Sequence, residues 1–165
     1  MRAADIMTRN VVSVSPETPA SRVVRLCLRQ GTTGVPVIDG DRRLVGMIGQ
    51  GNPVRGSDAG SERRALWLQL LAAGMAGPEH LVALGDVAAD KIMNPEVVST
   101  SEAAPIAEVA KLLVEQDIEL LPVVYDGRLT GIIGRSDVLS AFARLTEEKA
   151  SRFAKTGSTR VPQSK

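Results

Sequence analysis

The chain repeats itself, and this limits its fold more than any other property of its 165 residues. Ile6 to Val37, IMTRNVVSVSPETPASRVVRLCLRQGTTGVPV, keeps step with Ile92 to Val123, IMNPEVVSTSEAAPIAEVAKLLVEQDIELLPV. The correspondence resumes at RLVGMIGQGN and RLTGIIGRSD, after one extra residue in the first copy. Between Ile6 and Gly49 there are 17 identical pairs, and the lead-in Ala-Ala-Asp recurs at Ala3 to Asp5 and Ala88 to Asp90. Each copy therefore builds the same small unit, and two such units must bury their apolar faces together.

The unit can be read in order. Val11 to Val14 and Val97 to Thr100 are β-branched runs that predict short strands. Thr18-Pro19 and Ala104-Pro105 then open a helix, with proline at the first helical position, where a missing N–H costs nothing. Ile106, Val109, Ala110 and Leu113 fall at i, i+3, i+4 and i+7, an apolar stripe. Their counterparts are Ala20, Val23, Val24 and Cys27, so the single cysteine stands where the other copy has a core leucine. It reads as a small core hydrophobe ahead of a reactive thiol. One cysteine also excludes an internal disulfide framework and fits a reducing compartment.

A strand pair follows, VPVID with RLVGMIG and LLPVVYD with RLTGIIG. Asp126-Gly127 is a two-residue hairpin signal. The extra residue of the first copy falls around Asp39 to Arg42, in a turn, where an insertion leaves the strand faces unchanged. A second helix is expected from Ser136 to about Leu145, with Val138, Phe142 and Leu145 on one face. The unit is strand, helix, strand, strand, helix.

The copies differ in what comes next. After the first, Gly56 to Gly60 reads as a loop, Ser61 as an N-cap with Glu62 in the first turn, and Leu66 to about Met75 as an apolar helix. That helix presents Leu66, Trp67, Leu70 and Leu71, expected to pack on its own module or on a dimer mate ahead of an external partner. The C-terminal KTGSTRVPQSK is small, polar and basic, and reads as disordered.

Charge excludes some functions. With 20 basic and 19 acidic side chains the net charge is +1, no global attraction for nucleic acid or anionic membrane. Arg152, Lys155, Arg160 and Lys165 make the tail basic and keep weak nucleic-acid binding as an alternative, although aromatics, which stack bases, are only 2%. MRAADIMTRN lacks a signal-peptide run and no stretch is apolar enough to span a bilayer, so the expected location is cytoplasmic. His80 has no nucleophile or carboxylate spaced as a partner and reads as a loop histidine. One Cys and one His build no ordinary zinc site, and there is no phosphate-binding GxxxxGK[ST] loop. The chain is expected not to be an enzyme.

Taken together, IM…VVS, a Pro-Val strand and a final Gly followed by two apolar residues, three others and Asp or Asn, present twice, resemble tandem CBS domains. These are named from cystathionine β-synthase, and the pair is called a Bateman module. The resemblance implies an α/β (α+β) fold of two βαββα repeats packed pseudo-symmetrically, with a helical insertion between them. Residues 1–55 and 88–146 would be the repeats, 56–87 the inserted loop and apolar helix, and 147–165 a polar, flexible tail. It also implies a non-catalytic homodimer. Such a module binds an adenosine-containing ligand (AMP, ADP, ATP or S-adenosylmethionine) between the repeats and passes a regulatory signal to another protein. The alternative is a ligand-free assembly module that uses the inserted helix.

By the same resemblance, the acidic residue of the final motif holds ribose hydroxyls, and a Thr or Ser three positions earlier helps hold phosphate. Here the acidic position is Asp137 or Asn52, and the hydroxyl position is Gly134 or Gly49, a departure in both copies. A helix N-terminus at Gly134-Arg135-Ser136 can take phosphate through its N–H groups, and Arg135 can add a charge-assisted contact. Asp137 can accept both hydrogen bonds of a vicinal diol. The plainer reading is that Ser136 or Asp137 caps the helix. In the first copy Gln50, Gly51 and Asn52 replace Arg, Ser and Asp, and Asn52-Pro53 reads as a cap and first-turn pair. Walls for a base would be Ser13 and Val14 or Ser99 and Thr100, with Gly34-Val35-Pro36 or Leu120-Leu121-Pro122.

Overall fold

A computed structural model of the chain describes residues 1–49, 67–70, 72, 74–77, 79 and 87–156. The first repeat contains α1 (Ala3–Ile6), α2 (Ala20–Gln30), β1 (Val35–Ile38) and β2 (Leu44–Ile48). The second contains α3 (Ala89–Ile92), β3 (Thr100–Ser101), α4 (Ile106–Glu115), β4 (Leu120–Tyr125), β5 (Arg128–Gly134) and α5 (Arg135–Thr156). In the second sheet β3 runs parallel to β4, which pairs antiparallel with β5. The first sheet has the same plan, with β1 antiparallel to β2.

The expected first strands are shorter than the β-branched runs suggest. Val97 to Ser99 make no ladder, and in the first copy the strand shrinks to one parallel bridge, Val14 with Val37. That bridge is the counterpart of Thr100 with Val123. Both prolines stand one position earlier than expected, Pro19 and Pro105 being N-caps with extended backbone. Asp126 and Gly127, at φ 50° and 73°, form the expected tight hairpin. In the first copy Asp39 Oδ1 instead accepts from the N–H groups of Asp41 and Arg43, both at 2.9 Å, stitching the longer turn.

The helix stripes face inward as the spacing requires. Ala20, Val23, Val24 and Cys27 are buried in the first repeat, and Ile106, Val109 and Leu113 in the second. Burial pushes the Cys27 thiol up to about 11, so at neutral pH it is a protonated core group. Cys27 is therefore expected to resist a thiol-specific chromogenic reagent at pH 8 and to react at once in denaturant. Fast labelling of the native chain would contradict its burial. Because the unfolded thiol ionises at lower pH than the folded one, its contribution to stability is lost as pH rises towards 11.

α5 departs from the expected helix at both its length and its face. It runs to Thr156, well past Leu145 and into the segment expected to be a tail. Val138 and Ala141 are its buried residues, whereas Phe142 is 42% exposed. The small Ala141, one turn after Val138, takes the core-facing position that the apolar pattern assigned to Phe142. Residues 67–70, 72 and 74–76 are helical, and Trp67 and Leu70 are each 1% exposed within the first core. They are not an outward-facing apolar surface. Leu66, Leu71, His80, Ser61, Glu62, the 56–60 loop and the end of the tail lie outside the described residues.

The two lead-ins are exchanged. Ala3 N–H donates to Ala104 O and Ala4 N–H to Glu102 O, so α1 joins the second core. Ala89 N–H donates to Thr18 O and Asp90 N–H to Pro16 O, so α3 joins the first. Met7 packs on Gly131 and Met93 on Gly46, where a Cβ would collide with the thioether. Every one of these contacts has its pseudo-symmetric twin. Each repeat completes the other's core, which makes the pair one folding unit.

Candidate ligand cleft between the repeats

The exchange carries the chain across the repeat boundary at Thr8, which bridges Ile132 of β5 with backbone hydrogen bonds in both directions. Next to that bridge is a cleft of about 450 Å³ whose lining comes from both repeats. The first repeat supplies Asn10, Val11, Val12, Gln30, Thr32 and Gly34-Val35-Pro36; the second supplies Leu120, Gly134, Ser136 and Asp137. Of the expected site residues, the structure thus brings together Gly34, Val35, Pro36, Leu120, Gly134, Ser136 and Asp137.

Local structure explains the placement. Gly134 ends β5 opposite Leu120, and α5 begins at the next residue. Asp137, in the first turn, reaches back so that its Oδ2 accepts the Gly134 N–H at 2.7 Å. Half of a capping box is therefore present. The cap uses one carboxylate oxygen and leaves Oδ1 on a residue that lines the cleft. Capping and ligand binding are compatible at this side chain.

Other expected residues go elsewhere. Arg135 turns out of the cleft: Nε donates to Ile118 O at 3.0 Å, and the guanidinium pairs with Asp117 at 3.1 Å and Glu119 at 3.3 Å. Two carboxylates and a carbonyl in the 117–119 turn hold it more strongly than an open cleft can. Thr100 is buried beside β4, Leu121 is fully buried in the second core, Pro122 is buried in β4, and Ser99 lies outside the cleft lining. Ser13 and Val14 line other pockets, against Asp39 on one side and α2 on the other. Gln50, Gly51, Asn52 and Pro53, the counterparts of Arg135 to Val138, lie outside the described residues.

Gly49 and Gly134 prove unlike. Gly49 has φ 137°, and a Cβ there would sit 2.6 Å from the Gly34 Cα and 3.0 Å from the Thr33 carbonyl. Gly134 is not in the left-handed region, and a Cβ there would meet only Asp137 Oδ2 at 3.4 Å and side-chain atoms at 3.7 Å. The lining residues Thr8, Asn10 to Val12, Gln30, Thr32 and Ile132 were not singled out from sequence. The signal for Thr8 is the recurring lead-in, Ala-Ala-Asp-Ile-Met in the first copy and Ala-Ala-Asp-Lys-Ile-Met in the second, which joins the core of the other repeat.

The sequence pattern of the CBS domain matches residues 3–52 and 86–144. The chain belongs to the CBS domain family. An uncharacterized protein of Methanocaldococcus jannaschii, MJ1225, is 30% identical over 142 residues, covering 84% of this chain and 46% of that one. The chain thus spans less than half of that relative's length. A second protein of the same organism, MJ1426, is 29% identical over 86% of this chain and 90% of its own length. Among solved structures, this CBS pair is similar to CBSX2 in complex with AMP, with a TM-score of 0.66, 26% identity, and 88% and 98% of the two chains covered. CBSX2 of Arabidopsis thaliana is a chloroplastic CBS domain-containing protein. The CBS pair of MJ0100 in complex with 5′-methylthioadenosine and S-adenosyl-L-methionine shares the fold, with a TM-score of 0.62 at 19% identity over 87% and 96% of the chains. Among the described residues no group of side chains is placed to hold a metal ion, and no helix is long and apolar enough to cross a membrane.

Proposed function

We propose that this CBS pair is a non-catalytic regulatory module that binds an adenosine-containing ligand in the cleft at Asp137 and signals to another protein. One observation carries the reading: a single cleft joins Asp137 of the second repeat to the Gly34-Val35-Pro36 wall of the first. A ligand there touches both repeats, so it favours whichever relative arrangement fits it best, and a partner can read that arrangement. Asp137 Oδ1 takes the ribose diol, Val11, Val12 and Val35 give the base an aliphatic slot, and backbone N–H groups at the start of α5 face a phosphate. The complex of CBSX2 with AMP, at 26% identity, supports the same ligand class.

The lining narrows that class. Asp137 is its one charged residue among those described, and no Lys or Arg joins it. A chain of phosphates gains little in a cleft whose only formal charge is negative. AMP or a sulfonium nucleoside such as S-adenosylmethionine therefore fits better than ATP. The module is proposed to work as a homodimer inside the cell.

Calorimetric titration with AMP tests the assignment. Asp137→Asn, which keeps an acceptor for Gly134 but removes the charge, is expected to weaken binding by about tenfold, the usual value of a charged hydrogen bond. Unchanged affinity would move the ribose away from Asp137. No binding of AMP or S-adenosylmethionine by the parent chain would end the nucleotide reading.

A further inference from the structure

We infer that the outer face of α2 carries a second site, separate from the cleft, for a condensed phosphate chain, either free or as the tail of a nucleotide. A pocket of about 450 Å³ lies against this helix and is lined by Ser13, Ser15, Thr18, Arg22, Arg25 and Arg29, with Val14 and Leu26. It contains three guanidinium groups and no carboxylate. The cleft at Asp137 has the opposite character, one carboxylate and no cation.

The arginines fall at i, i+3 and i+7, on the side of α2 opposite Ala20, Val23 and Cys27. All three are exposed, and none pairs with a carboxylate among the described residues. Like charges at this spacing weaken a helix, so the row opposes local stability. The fold does not demand it. At the equivalent positions of α4 the second repeat has Glu108, Lys111 and Glu115, with Lys111 paired to Glu115 at 3.8 Å. Both helices bury the same stripe, and only the first carries an uncompensated cationic edge.

The chemistry of the edge fits phosphate. A guanidinium fork takes two phosphate oxygens at once, and hydroxyls supply neutral donors between the forks. Ser15 and Thr18 are already set against each other, Oγ to Oγ1 at 3.0 Å, with the Ser15 N–H donating to Thr18 Oγ1 at 3.1 Å. From Arg22 to Arg29 the helix advances about 10 Å, a length that suits several linked phosphates better than a single ion. An acidic helix of another protein would answer the charge while leaving the hydroxyl-lined hollow unfilled.

Isothermal titration with tripolyphosphate and with ATP, in the parent chain, Asp137→Ala and Arg25→Gln/Arg29→Gln, tests the assignment, with light-scattering mass alongside. Tripolyphosphate is expected to bind the parent and Asp137→Ala equally and the arginine double variant at least about tenfold more weakly. Both arginines are exposed and repel each other along α2, so the double variant should melt at or slightly above the parent. In the Asp137→Ala background, ATP tighter than tripolyphosphate would identify a nucleotide tail as the ligand, and equal affinities a free phosphate chain. Equal tripolyphosphate affinity in the parent and the double variant, or no binding in either, overturns the site. A double variant that changes only the molecular mass also overturns it, since the face would then join copies of this chain. None of these results depends on whether AMP occupies the Asp137 cleft.

Discussion

Trp67→Ala is expected to lower the unfolding free energy by about 3–5 kcal/mol, the usual cost of emptying a large aromatic site in a core. Trp67 is 1% exposed and packs with the first-repeat core, the own-module packing expected of its apolar helix. Its indole N–H donates to the Thr33 carbonyl at 3.2 Å. That carbonyl belongs to the turn leading into Gly34-Val35-Pro36, the first repeat's wall of the cleft at Asp137. The segment between the repeats thus braces the cleft from behind. Trp67→Phe separates the two effects: most of the volume returns, but the Thr33 carbonyl loses its partner, leaving a deficit of about 1–3 kcal/mol. Urea denaturation followed by far-UV circular dichroism reads both variants. A Trp67→Ala midpoint equal to that of the parent would remove this segment from the first core. AMP affinity should fall with stability in Trp67→Ala, because the turn loses its support.

The fold was largely legible because a repeat is a strong constraint. Seventeen matched pairs fix two copies of one unit, and the i, i+3, i+4, i+7 stripe fixes which faces of α2 and α4 are buried. The exchange of α1 and α3 was not legible, because a four-residue helix has no periodicity of its own to assign it to a core. Thr8, Asn10 and Ile132 meet at the cleft through that exchange and are not legible there in sequence, whereas Asp137, Gly134 and the Gly34-Val35-Pro36 wall are expected in its lining. Arg135 misled for another reason. Its spacing places it at the helix start, but only the folded 117–119 turn shows two carboxylates and a carbonyl competing for it. Phe142 lies exposed because small Ala141 takes the core position on α5, whereas Trp67 packs on its own module as its apolar helix suggests.

Gly49→Thr and Gly134→Thr are the same substitution at matching positions of the repeat, and they are expected to have opposite consequences. At Gly49 a side chain must tolerate φ 137° and a Cβ 2.6 Å from the Gly34 Cα. The obstacle is backbone at the closing end of the β1–β2 pair, where Val35 faces Ile48, so no rotamer can relieve it. Conformational strain and overpacking together should cost about 2–6 kcal/mol. The second repeat escapes the clash because Leu120 replaces Gly34, and its backbone stands off from Gly134. There a threonine Cβ meets only ordinary contacts, and stability should stay within about 1 kcal/mol of the parent. The hydroxyl added by Gly134→Thr enters the cleft beside Ser136 and Asp137, where it can donate to a phosphate. AMP should therefore bind more tightly to Gly134→Thr, whereas adenosine, which has no phosphate, should bind as it does to the parent. Equal gains for both ligands would place the phosphate elsewhere. A Gly49→Thr chain as stable as the parent would show that the glycine pair does not close the first sheet. The two glycines that look alike in sequence thus answer different demands: Gly49 admits no side chain, and Gly134 leaves room for one.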